Sequence, residues 1–355
     1  MTDKVMFWLG VEFTHFCIAA KLQKLIDAEF FAVIDITEKA KKFFKTQKIV
    51  NFKKSWYFFD SVKPSKNNVD FDYLEHFEKK YGINLWRLAI NERIFYRFYD
   101  FHRFTTHEIC SILEQECKLF EKILDEIQPD FLITAMTTLH YNHLFYEICK
   151  ARGIKVLVIW QHAFMGKYVI SSAPMFLEQG FDSIGNIQNH DKFHFNSLVD
   201  IQNYIKKYDA SAKMVDYKKK FQNSKIKYFQ AILKFLVSNN TNIKTHYTYY
   251  GRSKFAVLKG TIFNIIKKRR RESFINKNLI RDIKNKKPLI YFPLQVEPER
   301  TILIAAPNYT NQIEVITNIA KSLPTGYELY VKEHPGNVFR EWRSVSDYKK
   351  IMKLP

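Results

Sequence analysis

The chain has 355 residues, a formal net charge of +20, 46% hydrophobic and 16% aromatic content. That length holds one large or two medium domains with sizeable cores, and so aromatic a composition excludes a disordered chain. No run approaches the roughly 20 apolar residues of a membrane-spanning helix. Cys17, Cys110, Cys117 and Cys149 form no C-x-x-C pair, so neither a zinc site nor a disulfide framework is indicated and a reducing cytoplasm fits best.

The start, MTDKVMFWLGVEF, lacks a small-residue cleavage signal and reads as a first buried strand over 5–10. A helical pattern from Thr14 to Ala28 leads to a second strand, FFAVIDI (30–36), which opens a βαβ unit. Helical pieces follow around 38–45, 70–81 and 84–99, with a short strand near Trp56 to Phe59. A helix over 106–127 precedes the strand FLITA (131–135). The helix HYNHLFYEICKARG then stops at Gly153 before the strand KVLVIW (155–160). Strand, helix, glycine, strand at this spacing requires parallel pairing through a crossover. The expectation for 1–186 is a doubly wound Rossmann-like α/β domain.

Residues 187–286 read as a basic, mainly helical connector or insertion whose densest charge is Lys267-Lys268-Arg269-Arg270-Arg271. A +20 charge suits a polyanionic partner: nucleic acid, anionic lipid or a phosphorylated substrate. No recognisable nucleic-acid module or RGG-like tract is present, so a nucleic-acid partner is not expected. Segment GTIFNIIKKRRRESF (260–274) is amphipathic and basic, which allows peripheral contact with an anionic membrane. A solvent-exposed helix packed by its apolar side is the commoner use of such a pattern.

The α/β rhythm returns over 287–355. LIYFPL (289–294) and YELYV (327–331) read as strands; NQIEVITNIAKSLP (311–324) and EWRSVSDYKKIMK (341–353) read as helices. Two strands are fewer than the five or six of a complete Rossmann-like domain, so this domain is expected to be partial and the chain truncated within it. Open α/β sheets bind ligands at the carboxyl ends of their strands. Two polar loops sit there, PLQVEPERT (293–301) and VKEHPG (331–336). His334 is suited to donating to a phosphate oxygen, Lys332 adds a compact positive charge, and Pro335 holds His334 in extended backbone. Gln295 offers an amide, and Glu297 and Glu299 offer acceptors for sugar or ribose hydroxyls. Taken alone, H-P is more often a capped strand end.

The combined stretch YFPLQVEPERT, NQIEVITNIAKSLPTGYELYVKEHP and REWRSVSDYKKIMKLP resembles the capsule and surface polysaccharide biosynthesis proteins, a family that includes the Kdo transferases of capsule assembly. Shared features are a strand ending in P-L-Q, a following P-E, an N-Q helix start, L-P-x-G, and V-K-E-H-P. Arg340, Trp342 and Tyr348 keep the layout of the next helix. The likeness is specific over 288–355 and weak over 1–287. It implies a GT-B arrangement: an N-terminal acceptor-side domain, a C-terminal donor-side domain, and a metal-independent glycosyltransferase. The substrates it implies are a nucleotide-activated sugar and a glycan or lipid-linked acceptor, with no other cofactor. It implies that His334 contacts the donor phosphate, with Gln295 and Glu299 in the neighbouring donor loop. The expected location is the cytoplasm, peripheral at the inner face of the cell membrane.

The catalytic base is sought near the acceptor hydroxyl. Glu12 and His15, in the first βα loop, are the first candidates; His140, His143 and His162 follow later strands, and each alone is more often structural. A polyol-phosphate transferase or a sugar-nucleotide epimerase on the same architecture is the nearest rival. A basic nucleic-acid-binding or non-catalytic protein is the more distant one.

Overall fold

The computed structural model describes residues 2–10, 12–36, 38–63, 65, 68–96, 101–161, 168–174, 196–207, 225–238, 246–283, 287–297, 299–339 and 342–354. The chain forms two units, one of 1–89 with 104–250 and one of 90–103 with 251–355. His162, Arg340 and much of the 187–286 segment lie outside the described residues.

The first unit is a mixed α/β layer structure on a mostly parallel six-stranded sheet. Its strands are β1 (Asp3–Leu9), β2 (Ala28–Ile34), β3 (Phe52–Tyr57), β4 (Phe131–Thr134), β5 (Lys155–Gln161) and β6 (Tyr168–Ser171), ordered β3-β2-β1-β4-β5-β6. Strand β1 is central and apolar on both faces, as a parallel strand covered on two sides must be. Val5, Phe7 and Leu9 join a core with Phe30, Ile34 and Phe44 and with Phe16 and Ala19 of α1 (Thr14–Leu22). The alternate residue Trp8 faces the other way. It packs on Phe120 of α7 (Thr106–Ile127), on Tyr141 and Phe145 of α8 (His140–Ala151), and on Phe58. Period-2 alternation thus directs one strand into two aromatic layers.

Between these helices in the chain come α2 (Glu38–Thr46), α3 (Phe58–Ser61), α4 (Phe71–Tyr81) and α5 (Leu85–Ile90), and then α6 (Arg93–Tyr96), which belongs to the second unit. Helix α7 matches its sequence pattern because both ends are coded. The Glu108 amide donates to Thr105 Oγ1 at 3.2 Å while the Thr105 amide donates to Glu108 Oε2 at 2.8 Å, a reciprocal cap. Gln128 then ends it in the left-handed region at φ 51°.

Several boundaries differ from the sequence reading. Helix α1 stops at Leu22, and β2 begins at Ala28. The strand expected near Trp56–Phe59 runs Phe52–Tyr57, and Phe58 already turns into α3. Strand β6 was not expected; it pairs antiparallel with β5 and makes the sheet mixed at that edge. Among the described residues this unit also holds the helices α9 (Leu198–Lys207) and α10 (Lys225–Val237).

The second unit holds α11 (Lys254–Asn278), β7 (Leu289–Pro293), α12 (Gln312–Lys321), β8 (Glu328–Lys332) and α13 (Val345–Met352). Strands β7 and β8 pair in parallel, Leu289 opposite Glu328 and Pro293 opposite Lys332. Helix α13 starts at Val345 rather than near Arg340 because Ser344 caps it, its hydroxyl accepting from the Asp347 amide at 3.1 Å. Among the described residues no helix is long and apolar enough to cross a membrane.

Candidate functional site

In the first unit the β1 partners are β2 on one side and β4 on the other, and the helices that follow β1 and β4 cover opposite faces. That reversal is where doubly wound sheets open a crevice. At its rim lie the carboxyl ends of β2, β1 and β4, bringing Asp35, Gly10 with Glu12, and Ala135–Leu139 side by side. Glu12 is exposed. His15, on the first turn of α1, is buried, and its Nε2 has no hydrogen-bond partner. Burial lowers the pKa of His15, outweighing the upward pull of the Thr134 and Ile159 carbonyls and of Glu12. The ring is therefore a neutral imidazole over the ends of β4 and β5.

The other histidines of this region are committed. His140 Nε2 meets Glu116 Oε1 at 3.0 Å, and Tyr247 donates its hydroxyl to the same oxygen at 3.2 Å, all three residues being buried. His143 Nδ1 contacts Thr137 Oγ1 at 2.9 Å. The sequence reading passed over Asp35. Its carboxylate accepts from Tyr141 at 3.2 Å, and burial pushes its pKa up to about 7 while Tyr141 and Trp8 pull it down. The available signal was an acid at the end of an apolar strand.

In the second unit the parallel register brings both predicted loops to one edge, and the Leu294 amide donates to the Lys332 carbonyl at 2.9 Å. The loops are tied through Arg343, which sequence reasoning missed. Its Nη1 pairs with Glu297 Oε1 at 2.8 Å and its Nη2 donates to the Gln295 carbonyl at 2.5 Å. Nε faces Glu333 Oε2 at 3.3 Å, an ion contact without hydrogen-bond alignment. Gln312 accepts from the Gln295 amide at 2.7 Å and donates to Glu297 at 2.5 Å. Glu333 takes further donors from Tyr348 (2.6 Å), Asn337 (2.7 Å) and the His334 amide (2.8 Å). Burial, then the Glu333 contact, raises the Tyr348 pKa.

This network occupies Glu297 and the Gln295 backbone. Glu299 lends its carbonyl to the amides of Ile302 and Leu303. Lys332 and His334 instead line a cavity of about 620 Å³ with Tyr291, Tyr330, Trp342 and the segment 275–283 that ends α11. Gln295, Glu297 and Glu299 are not among its lining residues. The Gly336 amide donates to His334 Nδ1 at 2.9 Å, which leaves the proton of the neutral ring on Nε2 as a donor. A Cβ on Gly336 would meet Nδ1 at 2.9 Å and Val296 Cγ2 at 3.3 Å, so the close approach needs glycine. Trp342, at φ 61°, holds a backbone conformation that bulky residues rarely adopt; its carbonyl accepts from Arg271 at 2.9 Å. Among the described residues no group of His, Cys, Asp or Glu is placed to hold a metal ion.

Comparisons of the chain with protein-family models, with curated proteins and with solved structures return no match.

Proposed function

We propose that the chain is a glycosyltransferase of surface-polysaccharide assembly that takes its sugar from a nucleotide-activated donor. The observation that carries this reading is the cavity at the carboxyl end of β8, which sets Lys332 and a His334 Nε2 donor beside the aromatic rings of Tyr291, Tyr330 and Trp342. Its volume lies within the range of small-molecule sites, roughly 300–1,000 Å³. A cation and an N–H donor suit a diphosphate or phosphodiester, and the flat rings suit a base or sugar. The resemblance of residues 288–355 to capsule biosynthesis proteins points the same way. In this reading Gln295, Glu297 and Glu299 act behind the donor site. Glu297, with Arg343, fixes the loop that neighbours His334.

The acceptor side falls to the first unit, where Glu12, His15 and Asp35 gather near one crevice. Of these, His15 is neutral but buried, Glu12 is exposed, and Asp35 titrates near neutrality. A base that removes a hydroxyl proton works best with a pKa near the operating pH, which favours Asp35.

The test is calorimetric titration of the full chain with CMP-, CDP- and UDP-sugars. His334→Ala is expected to weaken the best binder by roughly 10- to 100-fold, the worth of one charge-assisted hydrogen bond, and Lys332→Met by a similar factor. Absence of binding by every sugar nucleotide, or binding indifferent to both substitutions, would overturn the reading. Product analysis separates transfer from epimerisation: an altered free sugar nucleotide without acceptor marks an epimerase.

A further inference from the structure

Helix α11 runs 25 residues, and none of them is buried. Its side toward the second unit is marked by Gly260, which approaches Phe101, by Arg271, bonded to the Trp342 carbonyl, and by Phe274, stacked on Tyr348. The opposite side is different. At 100° per residue, Phe255, Ile262 and Ile266 fall within about 40° of arc, and they are 77%, 60% and 49% exposed. Phe263 flanks them at 52%. Lys259, Arg269 and Arg270 share the same exposed side, while Glu272, the helix's single acid, lies off it.

We propose that this face of α11 docks flat onto an anionic lipid surface, independently of the sugar-transfer reading. At 1.5 Å per residue the helix is roughly 37 Å long, enough to cross a bilayer, but the run Lys267–Arg271 forbids a spanning position. Large apolar groups interleaved with cations on one side are the pattern of a helix lying in the headgroup region, rings and methyls below, charges at phosphate level. A nucleic acid would use the cations and leave Phe255 and Ile262 in water. A second copy packed on the same face would set Arg269 and Arg270 against their own equivalents, which costs rather than stabilises.

The experiment is vesicle flotation of the full chain with phosphatidylcholine alone and with phosphatidylcholine mixed with phosphatidylglycerol. Binding is expected to the mixed vesicles, to weaken with salt, and to be absent on phosphatidylcholine alone. Arg269→Gln with Arg270→Gln is expected to lower partitioning about 30-fold, each cation near the surface contributing roughly a factor of five. Ile262→Asn with Ile266→Asn is expected to lower it as well. Both double variants alter exposed positions, so circular dichroism should be unchanged. The emission of Phe263→Trp should shift to the blue on the mixed vesicles. Failure of the unaltered chain to float, or flotation undiminished in either double variant, overturns the proposal. So does retention on duplex DNA that survives Ile262→Asn with Ile266→Asn in a chain that does not float, or a dimer abolished by that same pair.

Discussion

Replacing Arg343 by methionine removes a cation that three loop groups share. The side chain is 6% exposed and reaches Glu297, Glu333 and the Gln295 carbonyl. Methionine fills much of the same volume but leaves both carboxylates without the cation they share. Breaking a buried ion pair by deleting one partner costs about 3–5 kcal/mol. The Glu297 side chain is 25% exposed, so water softens its share and about 3 kcal/mol is the better figure. The loss should appear as local opening, because the affected bonds lie within two loops. Hydrogen-exchange mass spectrometry of the full chain should show the Leu294 and Gln295 amides exchanging roughly 100-fold faster, with β1 and β2 unaffected. Arg343→Lys should fall between, since an ammonium cannot span three partners in fixed directions. Acceleration below about fivefold in Arg343→Met would refute the view that this residue holds the loops together.

Gly336→Ala should push the His334 ring off the Gly336 amide, costing about 1 kcal/mol and weakening sugar-nucleotide binding about fivefold in the same titration; unchanged affinity would show that Gly336 does not set the ring. For Asp35, whose folded pKa is raised to about 7, the protonated form is favoured on folding. That contribution is complete below the unfolded value near 4 and is lost as pH rises through about 7. Asp35→Asn should therefore stabilise the chain by about 4 kcal/mol near pH 8 and by little near pH 4, read from thermal melts at both. Gly251→Ala meets two obstacles, a φ of +72° and a Cβ 1.9 Å from the Phe101 carbonyl oxygen. A melting temperature lower by several degrees is expected, and an unchanged one would contradict the close approach.

The first sheet was legible because its strands are short apolar runs stopped by polar or glycine signals, and because α7 carries its caps in adjacent residues. Strand β6 was not: Tyr168–Ser171 is four residues long, with Tyr168 and Ile170 exposed, so no burial pattern marks it. The two cavity-lining residues at the end of β8, Lys332 and His334, could be picked out from a strand followed by H-P. Their supporting network could not. Arg343 meets the Gln295 carbonyl across 48 residues of chain and Gln312 meets the Gln295 amide across 17, and contacts at such separations leave no local periodicity to read. Ser344 was readable as a cap in S-V-S-D, and overlooking it placed the start of α13 too early.

The buried meeting of Tyr247 with Glu116 has a temporal side. The two residues are 131 positions apart, and chains are synthesised at roughly 5–20 residues per second. About 7–25 s therefore pass in which α7 has emerged but the phenol destined for its carboxylate has not been made. During that interval Glu116 must stay hydrated or rely on His140 alone, so the aromatic layer around α7 and α8 can close over it only provisionally. The first unit thus finishes folding late, when its last segment arrives, although its sheet is encoded almost entirely in the first half of the chain.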